Sequence, residues 1–139
     1  MSGSTHHAVA LDQMDSDALR RGFEAAVEAA GQIDVLVNNG LDAEDKDLTE
    51  ISFEEFARQQ VNNAGYFELA RLLHDHAVQR GAPASVINLG SLYGQVGSYP
   101  DAYEGICSAS SVAYHSLKGG TIQMTRHLAV YWARDKVRV

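Results

Sequence analysis

The feature of this sequence that most constrains its fold is an alternation of short aliphatic stretches with longer helical patterns. Residues 33–37 (Ile-Asp-Val-Leu-Val) and 85–89 (Ser-Val-Ile-Asn-Leu) have the composition of parallel strands covered on both faces. An apolar stretch at 7–11 ends in Asp12, and residues 137–139 begin a fourth strand. With right-handed crossovers, this order predicts a three-layer α/β sandwich that binds ligands at the carboxyl ends of its strands.

Three helices are predicted between these strands. Residues 15–17 (Asp-Ser-Asp) supply an N-cap for the first, which ends at Gly31. Residues 52–55 form a capping box, so a second helix covers 53–80. The third begins at 112 and continues to about 135. Each helix therefore follows one strand and precedes the next.

Length and composition describe one ordinary globular domain. The chain has 139 residues, of which 45% are hydrophobic and 21% charged. The formal net charge of −7 argues against nucleic acid and anionic membranes as partners. No apolar run approaches the ~20 residues of a transmembrane helix, and the N-terminus lacks the apolar core of a signal peptide. We expect a cytoplasmic location by default, with residues 1–6 as a disordered lead-in.

Cysteine and histidine usage predicts neither disulfide nor metal chemistry. Cys107 is the single cysteine, and no basic residue stands beside it in sequence to mark it as a nucleophile. His6 and His7 are adjacent and do not share a face. His74 and His76 lie two apart on a predicted helix, so they cannot converge on one ion. We expect no metal site, and surface positions for His74 and His76.

Tyr114 and Lys118 form a pair with catalytic potential. Residues four apart on a helix lie on the same face, so an ammonium can sit beside a phenol. A free phenol titrates near ~10, and a nearby positive charge favours its ionised form. The pair could then exchange a proton with a substrate oxygen. The alternative is two amphipathic side chains on a helix surface, and this pair alone leaves both interpretations open.

Polar residues follow two of the predicted strands. Residues 38–40 (Asn-Asn-Gly) come after the strand at 33–37, and residues 90–91 (Gly-Ser) come after the strand at 85–89. Residues 92–111 then form a long loop rich in glycine and serine. It contains three tyrosines, Tyr93, Tyr99 and Tyr103. Their packing and hydrogen-bonding capacity favours an ordered lid or pocket wall.

Asparagine and glycine residues interrupt two of the helices. Asn62 and Asn63 are poor helix formers in mid-span, and Gly65 follows them. Gly119 and Gly120 cost the third helix ~2 kcal/mol relative to alanines. Such costs are reasonable where another part of the molecule must approach the helix closely.

These motifs, in this order, resemble the short-chain dehydrogenase/reductase family, and nearly the whole chain from Asp12 onward fits it. Residues 33–41 are similar to the family's Asn-Asn-Ala-Gly segment, with Gly40 and Leu41 departing from its Ala-Gly. The literal Asn-Asn-Ala-Gly at 62–65 lies instead in a helix, where the family shows Val-Asn-x-x-Gly. The resemblance implies a partial Rossmann-like parallel sheet, containing strands 3 to 6 of the family's sheet, in a single domain over residues 1–139.

The resemblance also implies a set of site residues. Its catalytic members are Asn62, Ser91, Tyr114 and Lys118. Its cofactor contacts are Asp12, Asn38, Gly40, Tyr114 and Lys118. The cofactor is NAD or NADP, and hydride is exchanged between C4 of its nicotinamide and a carbinol or carbonyl carbon of a small molecule. The tyrosine serves as the base, the lysine as its partner, the serine as a hydrogen-bond donor to substrate, and the asparagine holds a water. The aspartate contacts the adenine.

Parts of the family pattern have no counterpart here. The first strand, its Gly-x-x-x-Gly-x-Gly turn and the second strand are absent, so the chain resembles a member truncated at both ends. Two functions stay open: an NAD(P)-dependent oxidoreductase, or a truncated, non-catalytic remnant that acts as an oligomeric structural or binding domain. The strand at 7–12 has three possible arrangements, because it can pair beside 33–37, be displaced, or leave a gap that another chain fills.

Two further expectations come from the resemblance. In the family, the helices corresponding to 53–80 and 112–134 pack against partner subunits, so we expect a homo-oligomer. The interval from Ser91 to Tyr114 is longer than usual. This insert, predicted to be an active-site loop at 92–111, resembles a subset of bacterial members associated with surface-polysaccharide or flagellin-sugar modification.

Overall fold

The computed structural model describes residues 5–43, 46 and 48–139, so most of the predicted lead-in at 1–6 lies outside it. The helices are α1 (Ser16–Ala30), α2 (Phe53–Arg80) and α3 (Val112–Trp132). The strands are β1 (Val35–Asn38), β2 (Ala84–Asn88) and β3 (Val137–Arg138). Short 3₁₀ helices cover Leu92–Gly94, Pro100–Ala102 and Ala133–Asp135. In the described residues, no helix is both long enough and apolar enough to cross a membrane.

Local sequence signals account for the helix boundaries. The Ser52 side chain accepts a hydrogen bond from the Glu55 N–H at 3.2 Å, and the Glu55 carboxylate accepts one from the Ser52 N–H at 2.9 Å. This is the predicted capping box. The helix ends at Gly81, whose φ of 63° is accessible to glycine without steric cost. The Asp15 carboxylate caps α1 by accepting from the Ala18 N–H at 2.8 Å.

The three strands form one parallel sheet in the order β1-β2-β3. Val35 pairs with Ser85 and Asn38 with Asn88. The carboxyl ends of β1 and β2 therefore lie side by side, as the α/β prediction requires. The α/β class and the partial Rossmann-like parallel sheet are confirmed.

The predicted strand at 7–12 is wrong, because these residues form no strand in the structure. Gln13 donates a hydrogen bond through Nε2 to Oδ1 of Asn62 at 2.6 Å. Cβ atoms added at Gly22 and Gly65 would lie 3.1 Å from the Ala10 carbonyl oxygen and 2.3 Å from that of Gln13. The segment is thus displaced onto α1 and α2, which was one of the three arrangements left open. Without an adjacent strand, its backbone has no ladder to join.

The hydrophobic core lies on one face of the sheet. All three helices contribute to it, and the sheet adds Ala84, Val86 and Val137. On the opposite face Val35, Val37 and Ile87 are about half exposed. Of the predicted three layers, the described residues therefore supply the sheet and one helical layer, and the second face of the sheet is open.

Gly120 in α3 marks a close approach, as expected, whereas the surroundings of Gly119 leave ordinary room for a Cβ atom. A Cβ atom on Gly120 would lie 2.7 Å from Nδ2 of Asn63, and one on Gly119 would lie 3.5 Å from the Gly94 carbonyl oxygen. A Cβ on Gly94 would in turn lie 2.7 Å from the Lys118 backbone. The start of the 92–111 loop therefore packs directly on α3 beside Lys118.

His74 and His76 are partly buried, so the expectation of surface positions holds only in part. The His74 ring stacks on Trp132 with centroids 4.6 Å apart, and its Nε2 lies 3.0 Å from a carboxylate oxygen of Asp135. His76 accepts a hydrogen bond at Nε2 from the Ile33 N–H at 3.3 Å. Both histidines therefore join α2 to neighbouring elements. No cluster of three or more His, Cys, Asp or Glu side chains suited to a metal occurs in the described part of the chain.

Candidate active site

Lys118 and Tyr114 lie together on the first two turns of α3. Lys118 is only 4% exposed, and its Nζ lies 5.7 Å from the centroid of the Tyr114 ring. The ammonium donates a hydrogen bond to the Leu89 carbonyl oxygen, at the end of β2, at 2.5 Å. Burial lowers the pKa of Lys118. Lys118 is thus held inside the protein beside the phenol, and not spread on a helix surface.

Ser91 and Tyr114 each contact Tyr93. The Ser91 Oγ accepts a hydrogen bond from the Tyr93 N–H at 3.2 Å. The Tyr93 ring meets the Tyr114 ring edge to face, with centroids 6.5 Å apart. The structure therefore brings Ser91, Tyr114 and Lys118 to the carboxyl end of β2. Sequence reasoning gave Tyr93 only a general packing role.

The 92–111 loop is attached to α3 next to Tyr114. The Ser98 Oγ lies 3.0 Å from Nε2 of His115, and Nδ1 of His115 lies 3.0 Å from the Ser111 carbonyl oxygen. The Tyr93 hydroxyl also hydrogen-bonds the Tyr103 hydroxyl, which raises the pKa of Tyr93. The loop therefore forms a wall beside Tyr114.

Asn62 is placed differently from the other predicted catalytic residues. Its Oδ1 accepts from Gln13 at 2.6 Å and from the Asp42 N–H at 2.9 Å. Its Nδ2 donates to the carbonyl oxygens of Asp42 at 3.0 Å and Gln59 at 2.8 Å. All four hydrogen-bonding positions of the amide are occupied. The Asn62 side chain therefore holds the loop after β1 and has no free position for a water.

Three of the five predicted cofactor residues, Asp12, Asn38 and Gly40, line a cleft of about 670 Å³ at the carboxyl end of β1. Asp12 is exposed at this cleft and accepts a hydrogen bond from the Met14 N–H at 2.9 Å. Asn38 is buried, and its Nδ2 donates to Oδ1 of Asn88 at 2.8 Å, while its Oδ1 has no partner among the residues that the structure describes. The Gly40 backbone lines the same cleft. The structure thus brings Asp12, Asn38 and Gly40 together, apart from the Tyr114 cluster.

Tyr66, which sequence reasoning missed, connects these groups, and Asn63 joins α2 to α3 beside them. Tyr66 is 1% exposed, its hydroxyl donates to the Gly40 carbonyl oxygen at 2.6 Å, and its ring centroid lies 5.8 Å from Nζ of Lys118. Asn63 donates through Nδ2 to the Leu117 carbonyl oxygen at 2.9 Å. The available signal for Tyr66 was its position four residues after Asn62, on the same face of α2.

Comparison with known proteins identifies the family. A sequence model of the family described as enoyl-(acyl carrier protein) reductase matches residues 2–139. Carbonyl reductase [NADPH] 2 of Sus scrofa is 29% identical over 94% of this chain and 48% of its own length. Galactitol 2-dehydrogenase (L-tagatose-forming) of Cereibacter sphaeroides is 33% identical over 94% and 48%.

Solved structures show the same fold. A putative short-chain alcohol dehydrogenase from Sinorhizobium meliloti 1021 superposes with a TM-score of 0.82 at 27% identity, covering 95% of this chain and 48% of that one. The chain thus spans about half the length of the relatives it matches. With this match over nearly all its residues, the chain belongs to the short-chain dehydrogenase/reductase family.

Proposed function

We propose that this chain carries the catalytic part of an NAD(P)-dependent oxidoreductase that interconverts an alcohol and a carbonyl group. Its relatives include a carbonyl reductase and a galactitol 2-dehydrogenase, which supports oxidoreduction in general. The observation that carries the proposal is the buried Lys118 ammonium 5.7 Å from the Tyr114 ring. A buried cation beside a phenol is the arrangement needed for proton exchange at neutral pH.

Each residue of the cluster has a distinct role in this proposal. Tyr114 gives or takes the proton of the substrate hydroxyl, and the Lys118 ammonium lies beside its ring. The Ser91 Oγ accepts from the Tyr93 N–H, so its own proton is available for the substrate oxygen. Asn62 has a positioning role, because its side-chain amide hydrogen-bonds Asp42 and Gln13 and holds them at the edge of the cofactor cleft.

The cleft at the end of β1 suits the nucleoside part of a dinucleotide. The exposed Asp12 carboxylate can accept a hydrogen bond from a ribose hydroxyl or an adenine amine, and the Gly40 backbone lines the same cleft. A bound nicotinamide would supply the hydride donor or acceptor. The printed sequence contains no Gly-x-x-x-Gly-x-Gly turn of the kind that receives a pyrophosphate.

Cofactor titration tests the proposal directly. NADH and NADPH are added to the purified chain up to millimolar concentration, and binding is followed by cofactor fluorescence and thermal shift. Tyr114→Phe should retain binding but lower turnover about 10²- to 10⁴-fold. Tyr131→Phe is the matched control, because Tyr131 is an exposed tyrosine on the same helix. Absence of binding at millimolar cofactor would exclude the enzymatic role for this chain.

A second candidate is a non-catalytic remnant that acts as an oligomeric structural or binding domain. The open sheet face at Val35, Val37 and Ile87 favours this binding role, because exposed apolar side chains are stabilised when a partner covers them. Exposed Phe53, Val130 and Tyr131 on α2 and α3 support a homo-oligomer in either case. Sedimentation velocity tests this point. A strictly monomeric chain at tens of micromolar would contradict the oligomer.

The 92–111 loop offers a narrower proposal about the substrate. Its resemblance to members associated with surface-polysaccharide or flagellin-sugar modification favours a sugar-like alcohol or carbonyl. The exposed Tyr99 ring supports this choice, since an aromatic face can pack on a sugar ring. Turnover of polyols and simple aliphatic alcohols by the wild type and Tyr99→Ala is compared. Equal loss with both substrate classes would contradict the proposal.

A further inference from the structure

We infer that Tyr66 is a positioning residue that keeps the Lys118 ammonium in place beside Tyr114. The ring centroids of Tyr66 and Tyr114 lie 5.8 and 5.7 Å from Nζ of Lys118. Both distances are within the range of cation–π attraction. The ammonium thus has an aromatic ring from α2 as well as one from its own helix. This role rests on the proposed function, because it is exercised through the Tyr114–Lys118 pair.

The burial of Lys118 explains why a second ring matters. Its ammonium has three N–H donors, and the one hydrogen bond seen among the described residues goes to the Leu89 carbonyl oxygen. Burial favours loss of its charge. The negative faces of the two rings offset part of this effect at a side chain that is only 4% exposed.

The Tyr66 hydroxyl fixes the position of this ring. It donates to the Gly40 carbonyl oxygen at 2.6 Å, just beyond β1, and Nδ2 of Asn38 donates to the Tyr66 carbonyl oxygen at 3.2 Å. Tyr66 is therefore held at both its hydroxyl and its backbone by the strand end that lines the cofactor cleft. Tyr66 therefore links this strand end to the Lys118 ammonium.

Lysine titration by NMR tests the inference without any turnover. The chain has three lysines, Lys46, Lys118 and Lys136, so selective ¹³C labelling gives a simple spectrum. Lys118→Arg assigns the signal of interest. Tyr66→Leu should move the Lys118 titration to lower pH, whereas Tyr66→Phe, which keeps the ring, should leave it nearly unchanged. Phe67→Leu is the matched control, since the Phe67 ring faces Arg71 instead.

A fluorination series covers the case in which Tyr66→Leu does not fold. Phenylalanines with increasing fluorine content at position 66 keep the ring shape but weaken its negative face. The Lys118 titration should move progressively to lower pH along the series. An unchanged titration across a folded series would overturn the inference. In an active preparation, kcat/KM at neutral pH should fall about tenfold for Tyr66→Leu. If the cofactor does not bind but the lysine titration shifts, the proposed function fails and the positioning role stands.

Discussion

Replacing Gly65 with alanine tests how the segment before α1 is held on α2. A Cβ atom at this position would lie 2.3 Å from the Gln13 carbonyl oxygen and 3.3 Å from its carbonyl carbon. The contact is with backbone, so no side-chain rotation can relieve it. The segment must move away, and the hydrogen bond from Gln13 to Asn62 is lost with it.

The expected magnitude combines three terms. Alanine in a helix interior gains about 1 kcal/mol over glycine. Forcing an extra methyl group into a packed contact costs about 1–3 kcal/mol, and losing the hydrogen bond between Gln13 and Asn62 costs about 1 kcal/mol more. Gly65→Ala should therefore lower the free energy of unfolding by about 1–3 kcal/mol.

Chemical denaturation monitored by circular dichroism measures this change. Gly119→Ala is the matched control, because a Cβ there meets the Gly94 carbonyl oxygen at an ordinary 3.5 Å. That variant should gain up to about 1 kcal/mol from helix propensity. A Gly65→Ala chain as stable as Gly119→Ala would refute the close approach of Gln13 to α2.

Three other substitutions give smaller, directional tests. Burial lowers the pKa of His74, but hydrogen bonds to Asp135 and Asp75 outweigh this effect and raise the pKa overall. The stabilisation that His74 provides is therefore present below the pKa of the unfolded chain, and it is lost as pH rises through the pKa of the folded chain. His74→Gln should therefore destabilise the chain more at acidic than at alkaline pH in urea titrations. Burial lowers the pKa of His76, which must stay neutral to accept from Ile33, so His76→Gln should cost less at acidic pH than at alkaline pH. Equal costs at both pH values would contradict either assignment. Ser52→Ala removes the side-chain cap of α2 and should cost about 1 kcal/mol by thermal denaturation, with Ser116→Ala as an exposed control on α3.

Sequence reasoning was most successful where the signal is local. The capping box at Ser52 and Glu55 and the stop at Gly81 locate α2, because these residues satisfy backbone groups within a few positions of themselves. The Tyr114 and Lys118 pair is likewise a consequence of helical spacing. The roles of the side chains at Asp12, Asn38, Gly40 and Ser91 in binding or catalysis stay predictions, although the structure places each at the end of a strand or at the cleft.

Sequence reasoning was less successful where the conformation of a segment or the contacts of a side chain depend on residues far away in the chain. Residues 7–12 have the composition of a strand, but a strand exists only when another strand completes its hydrogen bonds. Asn62 and Asn63 are neighbours in sequence, yet one faces the loop after β1 and the other faces α3. The division between them follows from which face of α2 each occupies and from what packs there.

The amino-acid order alone predicts the three helices and the strands at 33–37 and 85–89, since caps and periodicity act over short stretches of chain. The burial of Lys118, its second ring from Tyr66 and the saturated amide of Asn62 depend instead on helices α2 and α3 packing on one face of the sheet. Desolvation and ring–cation attraction arise only between groups that the folded chain brings together, so no reading of single positions could have supplied them.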